Sequence, residues 1–357
     1  MRADRQPEFS QIDLEMSFGT YEELFPIIEG LITLLFSEAL GIEVYAPFRR
    51  MTYQEAVERY GTDKPDLRFA IELVRITDIA KASSFPHFQE HIREGGIVKC
   101  LLIKKADAIS RKRIEGYSAF VQKFGVDGVF WLKVSETSGI SKFFEESALQ
   151  DLLQRTGGEA GDLVLFFAGQ EKRVNQAADH LRRQIAAEQG LIDKKSFALT
   201  WITDFPLFQW DEETQNYECE HNPFTSPHQE DIALLEVDPL RMRSSSYDLV
   251  LNGYEIASGA ERIYSSDLQE KIFRLLKLSR EDIEKRFGFF IEALKYGTPP
   301  SLGIALGFDR LIMILTYAES IRDVIAFPKT QKGNDLMLDA PSSVMKEQLS
   351  ELKIHVT

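Results

Sequence analysis

The sequence predicts an α+β protein in which an antiparallel sheet flanked by helices is interrupted by an inserted second α+β unit. Three observations predict it. Residues Gln11 to Phe18 alternate strictly, with Gln11, Asp13, Glu15 and Ser17 on one side and Ile12, Leu14, Met16 and Phe18 on the other, which is the period of a half-buried strand. From about Leu73 to Leu191 the texture changes to apolar strands and amphipathic helices, with no carboxylate-rich strand. After Leu191 the aromatic-rich, polar-studded strands return. The expected division is 1–74 and 192–357 for the interrupted domain and 75–191 for the insertion.

The elements follow in order. "TYEELFPIIEGLITLLFSEALG" reads as a helix with Thr20 as N-cap, Glu22 and Glu23 in its first turn and Gly41 closing it. "EVYAPFRR" reads as a short strand, "TYQEAVERYG" as a short capped helix, and "TDKPDLRF" as a proline-containing loop. In the insertion, "GGIVKCLLIKK", "DGVFWLKVS" and "GDLVLFFAG" are strand-like. "SRKRIEGYSAFVQKFG", "ESALQDLLQRTG" and "EKRVNQAADHLRRQIAAEQGLI" are helical. Then come aromatic strands around a turn at "DEETQN", two strand segments around Gly253, two amphipathic helices ("DLQEKIFRLLKLS" and "REDIEKRFGFFIEALKYG"), and a strand, turn and buried helix in "GIALGFDRLIMILTYA".

Composition narrows the function classes. Lys plus Arg number 42 against 56 for Asp plus Glu, a formal net charge of -14, so bulk charge does not attract nucleic acid and RNA contact would need a local basic patch. Cys100 and Cys219 supply neither a disulfide framework nor a metal cluster. The opening Met-Arg-Ala-Asp lacks the apolar region of a signal peptide, and the apolar runs are too short and too interrupted by charge to span a bilayer. The expectation is a cytoplasmic globular protein without a membrane partner.

Four stretches concentrate polar groups on otherwise buried strands. The opening strand carries Gln6, Gln11 and Asp13, suited to a cation or an ammonium, or else simply facing solvent. In "LNGYEIASGAERIY", Glu255 and Arg262 lie seven residues apart, and a bend at a glycine-containing turn would bring them into one site; the alternative is a surface salt bridge on a hairpin. In "GIALGFDRLIMIL", Arg310 falls in the first turn of an apolar helix, where the dipole favours negative charge. That mismatch points to an anion such as a phosphate held between helix start and guanidinium, or to a buried ion pair with Asp309 or a distant acid. His221 lies in a loop between aromatic strands, where a histidine is more often structural than catalytic. No Ser-His-Asp set, zinc site, Walker loop or dinucleotide fingerprint is present in the sequence.

Taken together, "RADRQPEFSQIDLEMSF", "YGTDKPDLRF", "WITDFPLFQW", "HNPFTSP", "YDLVLNGYEI", "FGFFIEALKYGTPP" and "GIALGFDRLIMILTYAESIRDVIAFPKTQKGNDLM" resemble, in order and over essentially the whole chain, the catalytic domain of bacterial-type aspartyl-tRNA synthetases. Residues 75–191 match the place of the GAD-type insertion, "GFDR" resembles the third signature motif of class II synthetases, and the opening strand resembles the second half of their second motif. The resemblance implies a six-stranded antiparallel sheet, ATP with Mg²⁺, L-aspartate and the acceptor end of tRNA as ligands, and a homodimeric parent enzyme. It implies that Gln6, Glu255, Gly307, Phe308, Asp309 and Arg310 bind ATP, with Glu255 reaching it through the metal and Arg310 holding the far phosphate. Glu255 and Arg310 would be the catalytic pair. Gln11 and Asp13 would face the α-ammonium, His221 the aspartate pocket, and Arg262 the side-chain carboxylate. The anticodon-binding barrel, the first motif and the first strand of the second motif precede residue 1 in the family, so the chain is expected to be a C-terminal portion, impaired in aminoacylation on its own or retained as a binding module. Asn222, Ala257, Ser258 and Glu261 depart from the residues usual around that pocket.

Overall fold

The computed structural model describes residues 3–106, 109–134 and 138–355, so the opening Met1 and Arg2 and the end of "DGVFWLKVS" at Ser135 lie outside it. Its strands are β1 (Gln11–Ser17), β2 (Arg49–Thr52), β3 (Leu73–Arg75), β4 (Ile97–Ile103), β5 (Phe130–Lys133) and β6 (Leu163–Gly169) in the first half. The second half adds β7 (Leu199–Thr203), β8 (Phe208–Asp211), β9 (Asn216–Cys219), β10 (Ser246–Leu251), β11 (Tyr254–Glu261) and β12 (Ser301–Gly307). They form a six-stranded sheet in the order β1-β12-β11-β10-β7-β2, a four-stranded sheet β3-β4-β6-β5, and the hairpin β8-β9. Every pairing is antiparallel except β2 against β7, which is parallel and lies at the edge.

The helix Tyr21–Leu40 covers one face of the large sheet. Glu23 accepts from the Thr20 N–H at 2.9 Å, and Gly41 ends the helix in the left-handed conformation. Leu24, Phe25, Ile28, Ile32 and Phe36 recur at helical spacing and bury themselves against Trp201, Tyr247, Leu249, Leu302, Ile304 and Leu306. Phe25 stacks on Trp201 with ring centroids 3.8 Å apart. One carboxylate, Glu29, is buried in this layer and is satisfied there, accepting from Trp201 Nε1 at 2.9 Å and from the Phe48 N–H at 3.1 Å.

The four-stranded sheet is covered on both faces. The helices Arg111–Val121 and Glu171–Glu188 pack on one side through Ile114, Val174, Ala178 and Leu181, while Phe88, Phe144 and Leu152 pack on the other. All seven residues of β6 are consequently buried, which is why "LVLFFAG" shows no alternation. Two buried cations are among this unit's contacts with the rest of the chain. Lys99, fully buried, contacts Glu58 Oε2 at 2.9 Å, and Arg182 lies over the rings of Tyr60 and Phe69 and donates to the Asp66 carbonyl at 2.9 Å.

One expectation needs correction. The strand expected over "EVYAPFRR" runs instead from Arg49 to Thr52, because Pro47 has no N–H to give a ladder. The small sheet begins at Leu73, where the change of texture is expected. Among the described residues no helix is long and apolar enough to cross a membrane.

Candidate active site

The face of the large sheet opposite the helix Tyr21–Leu40 carries the polar residues of four adjacent strands. Register fixes the rows. Gln11 stands opposite Gly307, Asp13 opposite Ala305 and Glu15 opposite Gly303, and β12 continues the rows with Ala305 beside Ser258 and Gly303 beside Ala260. Ser258 in turn faces Asp248 on β10.

Glu255 reaches the same face by an irregularity. Leu249 pairs with Ala257 but Val250 pairs with Glu255, so Ile256 is an extra residue bulged out of β11. Strict alternation would set Glu255 and Ser258 on opposite faces; the bulge restores them to one. The bend expected between Glu255 and Arg262 is absent. The two share one continuous stretch, and the Arg262 N–H donates to the Ser301 carbonyl at 2.8 Å.

Two adjoining cavities open on this face. The first, of about 360 Å³, is lined by Gln6, Gln11, Glu255, Gly307, Asp309 and Arg310, together with Asp4 and Arg5. The second, of about 170 Å³, is lined by Asp13, Glu15, His221, Asn222 and Arg262. Ser258 and Ala305 border both. Gln11 therefore lies with the Glu255–Arg310 group and not with Asp13. Phe308 is not part of either wall and stands 43% exposed.

Within the larger cavity Arg310 donates to the Glu255 carbonyl, and its Nη2 lies 3.4 Å from Asp4 Oδ2. Its ion-pair partners are Asp4 and Glu255, not Asp309, whose carboxylate instead accepts from the Ser10 N–H at 2.7 Å and ties the helix Phe308–Leu315 to the opening strand. Gln6 is clamped from behind: its Oε1 accepts from the Lys329 N–H at 2.7 Å and its Nε2 donates to the Lys329 carbonyl at 3.3 Å.

Three functional candidates went unassigned at the level of sequence. Lys64, from "YGTDKPDLRF", contacts Glu255 Oε2 at 3.1 Å and Asp63 Oδ2 at 2.8 Å. Burial disfavours its ammonium, but the two carboxylates outweigh burial and raise its pKa. Asp248 is buried at the centre of the face, where burial first and the Glu255 charge second push its carboxyl up to about 8. An acid inside the fully buried run "SYDLVL" was the available signal. Glu15 holds Arg262, with Oε1 3.0 Å from Nη2. His221 packs edge-on against Phe205 at 4.9 Å, and burial lowers its pKa, so its ring is neutral near pH 7.

The residues present suit a divalent cation held with phosphates. Asp248 Oδ1 is buried without a hydrogen-bond partner, and Glu255 supplies a second carboxylate on the same face. Mg²⁺ is commonly bound by one or two carboxylates plus substrate phosphates. Among the described residues no group of three or more His, Cys, Asp or Glu forms a metal cluster of its own.

Comparison with known proteins adds a family. The profile described as "tRNA synthetases class II (D, K and N)" matches residues 1–331. Proteins named Aspartate–tRNA(Asp/Asn) ligase from Protochlamydia amoebophila (strain UWE25) and Chlamydia pneumoniae are each 53% identical over 359 residues, covering 100% of this chain and 60% and 61% of theirs. One from Chlamydia muridarum is 53% identical over 355 residues. The chain thus spans about 60% of the length of the curated relatives it matches.

Proposed function

The chain belongs to the class II tRNA synthetases of the D, K and N group, and from that premise we propose that it carries the sites that join ATP to L-aspartate ahead of transfer to tRNA. The larger cavity takes the nucleotide and the smaller the amino acid. One observation carries this reading: the two cavities abut at Ser258 and Ala305, so a ligand spanning both has its acyl phosphate at the seam.

In this reading the α-carboxylate of aspartate attacks the α-phosphate of ATP and pyrophosphate leaves; a ribose hydroxyl of the RNA's terminal adenosine then attacks the aspartyl carbonyl, and AMP leaves. Such a reaction needs alignment and charge stabilisation, not a protein nucleophile. Arg310 and Arg5 face the polyphosphate. Gln11, at the border of the two rows, faces the reacting carboxylate. Arg262 grips the side-chain carboxylate, Asp13 the α-ammonium, and neutral His221 closes the amino-acid cavity. Mg²⁺ held by Glu255 and Asp248 would neutralise charge on the phosphates. Residues 75–191 form the inserted domain, and the whole protein acts in the cytoplasm as a homodimer.

Aspartate-dependent exchange of pyrophosphate into ATP tests the assignment, since robust exchange by these 357 residues requires both cavities at once. A second reading, a module that binds ATP or aspartyl-adenylate without turnover, is favoured by the engagement of Arg310 with Asp4 and Glu255, which leaves few free cationic donors at the seam. Calorimetric binding of a non-hydrolysable aspartyl-adenylate analogue without measurable exchange would select it.

A further inference from the structure

One wall of the larger cavity is a stretch of chain without regular structure. Residues 3–10 contain no helix or strand, yet Asp4, Arg5, Gln6, Phe9 and Ser10 all line that cavity. The stretch is therefore positioned by its contacts. At one end the Ile321 N–H donates to the Ala3 carbonyl at 2.9 Å, and at the other the Phe308 N–H donates to the Ser10 carbonyl at 3.0 Å. The middle rests on Lys329, through Gln6 and Glu8.

The contact with Gln6 is directional. A carboxamide can sit in two orientations that exchange its oxygen and its nitrogen. The Lys329 main chain offers it one N–H and one carbonyl, so one orientation satisfies both and the other satisfies neither. Gln6 is then left with one N–H and one lone pair to present elsewhere.

Lys329 is fixed in turn by its own side chain, whose Nζ lies 2.7 Å from Asp335 Oδ2 and 3.1 Å from Glu8 Oε2. Asp335 is buried, while Leu336, Met337 and Leu338 directly after it are exposed. Hydrophobic burial alone would give the reverse order. The acid turns inward because its Oδ2 meets Lys329 and its Oδ1 accepts from the N–H groups of Met337 and Leu338 at 2.8 and 3.0 Å. The Lys329–Asp335 pair is largely withdrawn from water, whereas Glu8 is 76% exposed, so Asp335 is the stronger anchor.

We propose that Asp335 and Lys329 are positioning residues for nucleotide binding: their ion pair fixes the Lys329 main chain, and that main chain orients the Gln6 carboxamide toward the nucleotide. Neither residue lines the cavity, so both act through Gln6. The proposal rests on the reading of the larger cavity as the nucleotide's.

Calorimetric titration of Mg-ATP and of L-aspartate into the 357-residue chain tests it. Asp335→Asn keeps an acceptor for the Met337 and Leu338 N–H groups and loses the charge facing Lys329. It is expected to weaken Mg-ATP binding roughly fivefold, and Lys329→Met roughly tenfold, as loss of an orienting partner does at other ligand sites. Aspartate affinity should stay within about twofold, and Lys329→Arg should keep ATP affinity within about twofold of wild type. The double variant should be no weaker than Lys329→Met alone, because the two residues act in series. Hydrogen exchange at the Lys329 amide needs no ligand and should be roughly tenfold faster in Asp335→Asn. Unchanged ATP affinity in both single variants, or aspartate affinity falling in step with it, would overturn the proposal. A wild-type chain that binds no ATP would strike the reading of the larger cavity, and amide exchange unchanged by Asp335→Asn would overturn the positioning role by itself.

Discussion

Glu15 and Arg262 form an ion pair across an intervening strand. Glu15 lies on β1 and Arg262 beyond the end of β11, and the 3.0 Å contact passes over β12 at Gly303, where a Cβ would lie 2.2 Å from the Glu15 carboxylate. The pair is more than one-third open to water, with side-chain exposures of 55% and 34%. Glu15 thus stands as an internal carboxylate on the guanidinium proposed to hold the substrate's own.

A competitor of this kind lowers the affinity of any ligand that must replace it. Exposed ion pairs contribute up to about 1 kcal/mol, so Glu15→Gln is expected to raise aspartate affinity by up to about fivefold. Affinity for ATP should not change. Gly303→Ala, which forces the flexible Glu15 carboxylate aside, should move aspartate affinity in the same direction. Calorimetric titration with each ligand checks both, and a fall in aspartate affinity in Glu15→Gln would mean that Glu15 helps to hold the substrate.

Much of this arrangement was legible in the sequence, and what was not has identifiable causes. The helix from Thr20 to Gly41 carries its cap, its apolar stripe and its terminating glycine locally, and the alternation of β1 announces a sheet with one polar face. Glu15 was on that polar side, but its partner depends on which strand lies next to β1, a property of topology. The bulge at Ile256 is invisible to a period-two pattern, because a single extra residue leaves no compositional trace. The region around Leu73 to Arg93 went unread since β3 and its two short helices are each too brief to establish a period.

Asp248 gives a pH-dependent signature. A carboxyl whose pKa rises on folding favours the native state below its unfolded value, and that stability is lost as pH climbs toward the folded value. With a folded value of about 8, wild type is expected to lose stability through this group as pH rises from roughly 4 to roughly 8. Asp248→Asn cannot ionise, so denaturant midpoints measured across this range should fall less steeply. Matching slopes in the two proteins would show that Asp248 ionises freely.

The nucleotide group should be separable from the amino-acid group. Arg310→Lys keeps the charge but loses the planar fork, and Glu255→Gln removes a carboxylate beside Lys64 and Asp248. Losing a charged hydrogen bond is worth about 1.5–3 kcal/mol, so each should weaken Mg-ATP binding by roughly 10- to 100-fold and leave aspartate binding within about twofold. Titration of ATP and of aspartate separately, by calorimetry, decides this.

In the proposed function Glu255, Arg262 and Arg310 act on one bound molecule from two abutting cavities. The affinity of the aspartyl-adenylate analogue for wild type, Arg262→Gln and Arg310→Lys measures this. Both variants are expected to lose roughly tenfold or more, although only the first weakens aspartate and only the second weakens ATP. An analogue bound equally well by wild type and either variant would contradict it.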